Sequence, residues 1–260
     1  MSYPSCDLRC ADKLEPHFER HQGEVAAVIV EPKVQGAAGM IVAPDGFLRR
    51  IRELCTRYGV HLIADEVATG FGRTGTMFAC ERDDVTPDIM CLGKGITGGY
   101  MPLAATLTTE EIFEGFLGER TEKKAFFHGH TYTGNPLACA AGLGSLEVFR
   151  RDRVLESLPS KIECLADQLA VLREMSYVGD IRQAGLMVGV ELVADKVMKA
   201  PFPEVGRMGA RVARAMRERG VFMRPLDDVL VLVLPLPVEE EEIKLAVDAV
   251  RGSIEKVVTE

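Results

Sequence analysis

At 260 residues the chain is long enough to bury a sizeable core in one or two domains. Its 47% hydrophobic and 27% charged content is ordinary for a globular protein. A formal net charge of −8 and the absence of a long basic run argue against nucleic acid and anionic membranes as partners.

The chain opens on "MSYPSCDLRCADKLEPHFERHQGE", which offers little lead-in before a core strand. "VAAVIVEP" (25–32) is a continuous, valine-rich apolar run and reads as a strand buried on both faces. In "PDGFLRRIRELCTRYG" (44–59), Phe47, Leu48, Ile51, Leu54, Cys55 and Tyr58 fall at helical spacing, with Pro44 or Asp45 as the start and Gly59 as the stop. "VHLIADE" (60–66), "PDIMCLG" (87–93) and "PLAATL" (102–107) read as three further strands. Strand, helix, strand in this order predicts an α/β fold with a mostly parallel sheet. From residue 134 small residues dominate a helix, "GNPLACAAGLGSLEVFRRD", followed by a second helix with a break expected at Pro159. The strand-like runs "VGDIRQAG" and "LMVGVELV", a basic amphipathic helix at 205–219, "VFMRP", "VLVLVLP" and a last helix over 238–258 complete the chain. This predicts a large domain over 1–150 and a small α+β domain over 151–260.

Seven cysteines, at 6, 10, 55, 80, 91, 139 and 164, form no C-x-x-C pair. An odd, unpatterned set, without a signal-peptide core or an 18-residue apolar span, predicts a reducing, cytoplasmic location. Cys6 and Cys10 lack the second pair that a zinc site needs. His128 and His130 have no neighbouring Asp, Glu or Cys to complete a metal set and read as loop packing; no metal is expected.

"DIMCLGKGITGG" (88–99) contains G-x-G-x-x-G, the dinucleotide-binding pattern. That fingerprint requires a helix directly after the glycines, its N-terminus facing the pyrophosphate. Here only Gly99, Tyr100 and Met101 precede the next strand, so there is no room for it. Glu110 and Glu111, at a tempting distance, sit in the first turn of a helix that Thr108 or Thr109 can cap. Lys94 instead follows the carboxyl end of a predicted parallel strand and Asp65 ends another, where open α/β sheets place their active sites. Two charges there are costly to bury separately and reasonable around a shared polar ligand. A solvated loop lysine and a helix-capping aspartate are the alternatives.

"LIADEVATGFGRTGTMFA" (62–79) and "PDIMCLGKGITGGYMPLAA" (87–105) closely resemble the signature of the class III, pyridoxal-phosphate-dependent aminotransferases. "EPKVQGAAGMIVAP" (31–44) and "FFHGHTYTGNPLACAA" (126–141) match the same family in the same order. The resemblance runs on through "GDIRQAGLMVGVELV" and "ERGVFMRPLDDVLVLVLP". It implies a fold-type I pyridoxal-phosphate transferase, a homodimer with shared active sites, and small-molecule substrates. The wording is most similar to the biotin-pathway branch, which aminates 8-amino-7-oxononanoate with lysine or S-adenosylmethionine as donor, and within it to the lysine-using Bacillus-type enzymes. Another omega-aminotransferase specificity and a non-catalytic fragment are the alternatives, because family members are longer. The portion this chain is expected to lack carries the Gly-Ser phosphate turn, and the sheet would be left with an exposed edge.

By this resemblance Lys94 carries the cofactor as a Schiff base and shuttles protons, which needs an accessible neutral amine. Asp65 pairs with the pyridine nitrogen and Val67 packs on the ring face. Glu66 points away and is expected to be a structural ion-pair partner. Thr131 binds the cofactor phosphate across the subunit interface, with Gly129 and His130 as companions; His130 departs from the proline common there. Arg224 holds the substrate carboxylate with its planar fork. Glu31 and Gln35 are expected near the cofactor. Ornithine- and 4-aminobutyrate-type relatives carry an arginine near "VLVLVLP", and its absence argues against those substrates. Arg73 is assigned to fold support.

Overall fold

The computed structural model describes residues 6–259. In chain order its elements begin with α1 (Arg9–Asp12), α2 (Leu14–Arg20), β1 (Ala27–Val30), β2 (Val34–Gln35), β3 (Ile41–Val42), α3 (Phe47–Tyr58), β4 (His61–Asp65), β5 (Ile89–Leu92) and β6 (Ala105–Thr108). They continue with α4 (Glu110–Glu114), α5 (Pro136–Arg151), α6 (Val154–Ala170), β7 (Val178–Ala184), β8 (Met187–Leu192), α7 (Met208–Arg217), β9 (Val229–Val233) and α8 (Glu240–Thr259). The chain divides into two compact units. One takes the residues up to Lys33, Ala43–Phe71 and Thr76–Arg153; the other takes Val34–Val42, Gly72–Gly75 and the residues from Val154 on.

The first unit is built on a four-stranded sheet in the order β1-β4-β5-β6. β1, β4 and β5 are parallel, with Ala27 opposite His61 and Asp65 opposite Cys91. β6 runs antiparallel to β5. The link from Leu92 to Ala105 holds one 3₁₀ turn and no α-helix, so it does not supply the helical crossover usual for a parallel return. α3 buries Leu48, Ile51, Leu54 and Cys55 against Leu62 and Ala64, with Phe18 of α2 and Ala11 of α1 in the same core. Each such leucine contributes about 1.5–3 kcal/mol. The start of α3 is satisfied from a distance: the buried Asp83 carboxylate accepts the Gly46 and Leu48 N–H groups at 2.8 and 2.9 Å. Gly59 ends the helix in the left-handed conformation. β1 is an edge strand, and the expected burial on both faces does not hold: its residues are half-buried apart from Ile29, which is 65% exposed because no element covers that face among the described residues.

The second unit carries an antiparallel sheet, β7-β8-β9. Alternation splits β8: Val188, Val190 and Leu192 join a core with α6, α7 and α8, while Met187 meets Val34, Met40 and Val42 of the β2–β3 hairpin. α6 runs through Pro159 without the expected break. The ring removes one backbone donor, but Leu158, Leu165 and Leu169 are wholly buried on one face and hold the helix. Residues 221–225 form no strand. Among the described residues no helix is long and apolar enough to cross a membrane.

Candidate active site

β4 and β5 are neighbouring parallel strands, so their carboxyl ends open side by side. β4 delivers Asp65, half-buried, whose Oδ1 accepts the Val67 N–H at 3.1 Å. Its Oδ2 has no hydrogen-bond partner among the described residues. Burial, aided by the Asp65 charge opposite it, pushes the Cys91 thiol up. The Glu66 N–H donates to the Cys91 carbonyl at 3.0 Å and extends the pairing past the end of β4.

β5 delivers Lys94 on the first residue of a 3₁₀ turn, Lys94–Thr97. Its φ of 41° is left-handed, an uncommon conformation for a lysine and one that recurs at functional sites. The side chain is exposed, and its amine has no partner among the described residues. Lys33 makes the contrast: it is buried and paired to Asp45 at 2.5 Å. The glycines around Lys94 serve close packing. A Cβ on Gly93 would lie 3.3 Å from Val67 Cγ1, and one on Gly95 would lie 2.8 Å from Phe71 Cβ. Val67 and Lys94 are thereby drawn to one place. The single short turn after Gly93 is no pyrophosphate helix.

Glu66 departs from expectation. It is 0% exposed and pairs with no cation among the described residues; Oε2 accepts the Thr69 hydroxyl at 2.6 Å and Oε1 the Cys80 N–H at 2.8 Å. The Cys80 thiol beside it is driven up by burial and by the Glu66 charge. Sequence alternation shows Glu66 turning away from Asp65, but no local signal reveals that its partner lies at the start of the 3₁₀ turn Ala79–Asp83.

Gly129, His130 and Thr131 lie in an exposed loop. His130 Nδ1 accepts the Tyr132 N–H at 3.1 Å and its own N–H donates to Thr133 Oγ1 at 2.9 Å, while His128 stacks on Phe126. Both histidines therefore shape the loop. No hydrogen bond joins Thr131 to Asp65 or Lys94. The loop ends at Asn135, whose Oδ1 caps α5 by accepting the Leu137 N–H at 2.9 Å, with Pro136 at the first helical position. Among the described residues no three His, Cys, Asp or Glu side chains group as metal ligands.

Arg224 belongs to the second unit, where it is exposed and unpaired among the described residues. Gln35 is exposed on β2 of the same unit. Arg73 supports the fold: its guanidinium donates to the Leu234 carbonyl at 2.5 Å and its carbonyl accepts the Leu186 N–H at 3.0 Å. Burial holds its pKa below the ordinary arginine value.

The donor set in the first unit fits pyridoxal phosphate. A free carboxylate oxygen suits a pyridinium N–H, an unpaired amine suits a carbonyl carbon, and Val67 offers an apolar surface for the ring.

The sequence matches the class III aminotransferase family over residues 3–254. It is 54% identical over 253 residues to the adenosylmethionine-8-amino-7-oxononanoate aminotransferase of Geobacter sulfurreducens, covering 97% of this chain and 56% of that protein. The enzyme of that name from Aquifex aeolicus is 52% identical, covering 98% of this chain and 56% of that protein. The crystal structure of the Methanocaldococcus jannaschii enzyme of that name superposes with a TM-score of 0.93 at 47% identity, covering 95% of this chain and 57% of that one. An (S)-enantioselective omega-transaminase from Thermomicrobium roseum gives a TM-score of 0.90 at 39% identity, covering 96% and 55%. The chain spans about half the length of the curated relatives it matches. Motif order, sheet topology and these likenesses agree: the chain belongs to the class III aminotransferase family.

Proposed function

We propose that the chain is the lysine-bearing part of a pyridoxal-phosphate-dependent aminotransferase that transfers an amino group to 8-amino-7-oxononanoate, giving 7,8-diaminononanoate. One observation carries it: a Lys94 amine and an Asp65 oxygen without partners among the described residues stand at the adjoining mouths of two parallel strands, with Val67 packed beside them. The cofactor supplies the electron sink when bound. Lys94 then offers the amine that holds its carbonyl carbon and, once released, moves a proton on and off the reacting carbon. Asp65 keeps a proton on the pyridine nitrogen, a charge an asparagine could not hold. Val67 excludes water from the ring face. Thr131, with Gly129 and His130, meets the phosphate of a neighbouring subunit's cofactor in a homodimer, and Arg224 grips the substrate carboxylate. In this reading the first unit is part of the cofactor-binding domain, and the segment from Val154 is the small domain. Seven free cysteines accord with a reducing cytoplasm.

The relatives' names favour adenosylmethionine as donor, and they lend no support to the lysine-using branch. A different omega-aminotransferase specificity rests on lower identity, 39% against 54%. Adding pyridoxal phosphate is expected to produce a visible absorbance band that Lys94→Ala removes. Amino transfer to 8-amino-7-oxononanoate is then followed with adenosylmethionine and lysine in parallel. A band that survives Lys94→Ala, or transfer from 4-aminobutyrate alone, would overturn the assignment.

A further inference from the structure

The proposed chemistry leaves Cys6 and Cys10 without a part. Their Sγ atoms lie 3.9 Å apart. In a regular helix, residues four apart hold their Cβ atoms about 5–6 Å from each other, beyond the roughly 3.5–4.5 Å that a disulfide spans. This segment is not a regular helix. α1 begins only at Arg9, and Leu8 takes a left-handed φ of 65°, which folds the preceding chain back and lets Cys6 approach Cys10. Cys10 is exposed and Cys6 half-buried, so a small solute can reach the pair.

Arg9 is paired with Asp7 at 2.5 Å, and burial together with the neighbouring Cys6 sulfur pushes the Cys10 thiol up. Once one sulfur has reacted, its neighbour is held against it, and ring closure has the advantage of an intramolecular step.

We propose that Cys6 and Cys10 form a reversible intramolecular disulfide by exchange with a low-molecular-weight disulfide such as oxidised glutathione. The thiolate of one cysteine attacks a glutathione sulfur, the glutathione S–S bond breaks, and one glutathione thiolate leaves and takes up a proton. The second cysteine, losing its proton to solvent, attacks the protein sulfur of the mixed disulfide and expels the second glutathione. Two cysteine thiols are oxidised to one disulfide, and one glutathione disulfide is reduced to two thiols.

Cys139 supplies the internal comparison. It is exposed and has no thiol beside it among the described residues, so its exchange stops at the mixed disulfide. The chain is incubated with oxidised glutathione until Cys139 is fully modified, blocked, digested with trypsin and weighed without reduction. Trypsin cuts after Arg9 and Lys13, separating residues 1–9 from 10–13. The expected result is these two peptides joined, two hydrogens lighter than their sum, and released by dithiothreitol, with glutathione retained on Cys139. Cys6→Ser should leave stable glutathione on Cys10, and Cys10→Ser should leave it on Cys6. Stable glutathione on either cysteine of the unsubstituted chain, or two free thiols there once Cys139 has reacted, would overturn the proposal.

Discussion

Replacing Glu66 with alanine tests how the Asp65 end of β4 is held. The carboxylate is 0% exposed and receives two donors, the Thr69 hydroxyl at 2.6 Å and the Cys80 N–H at 2.8 Å. Hydrogen bonds to a charged group contribute about 1.5–3 kcal/mol each, and a buried donor left without a partner costs about 1–3 kcal/mol. Water entering the vacated space can recover part of this. The net loss should be about 2–5 kcal/mol, a large fraction of the roughly 5–15 kcal/mol that holds a domain folded. Urea unfolding at pH 7, followed by circular dichroism, should show the midpoint falling accordingly. Glu66→Gln, which keeps one carbonyl acceptor, should lose less than half as much. Thr69→Val in both backgrounds should reveal coupling of about 1 kcal/mol, because the two side chains share one bond. A Glu66→Ala midpoint within about 0.5 kcal/mol of the parent would refute the reasoning, since that is the range of a surface change.

Gly185→Ala should cost about 2–5 kcal/mol in the same assay, because its φ of 63° is left-handed and a Cβ would lie 2.4 Å from the Arg73 carbonyl oxygen; a neutral result would refute that packing. Gly95→Ala drives a Cβ to 2.8 Å from Phe71 Cβ and must shift the turn carrying Lys94. It should weaken the lysine-dependent absorbance band with pyridoxal phosphate while costing about 1–3 kcal/mol of stability; an unchanged band would show that the turn has slack. Burial raises the Asp88 pKa, but the Leu62 N–H at 2.6 Å and Arg52 at 2.7 Å outweigh it and leave the group below the ordinary carboxylate value. Its stabilisation is therefore complete above the unfolded value of about 3.9 and disappears as pH falls through the lower folded value. Asp88→Asn should lower stability at pH 7 and flatten its decline below about pH 4; an unaltered acid slope would count against the assignment.

Most secondary structure was legible in the sequence because its signals are local. Apolar residues at 47, 48, 51, 54, 55 and 58 sketch one helical stripe, and uninterrupted valine and isoleucine runs mark strands, though not which of their faces is covered. The same locality places Asp65 and Lys94 at strand ends, and the order of four motifs identifies the family. The glycines around Lys94 were harder: sequence shows that no helix follows them, whereas only the fold shows Val67 and Phe71 pressing on Gly93 and Gly95.

What the tertiary structure alone decided depends on residues far apart in the chain. The hairpin of Val34–Val42 joins the second unit because Met40 and Val42 pack on Met187, and because Arg182 donates to the Gly39 carbonyl at 2.8 Å across 143 positions. β6 pairs antiparallel to β5 after a link without an α-helix, and Glu66 finds its second donor 14 residues on. Periodicity reports which face of an element is apolar. It cannot report what that face meets, since packing and hydrogen-bond partners are fixed only when the whole chain has closed around them.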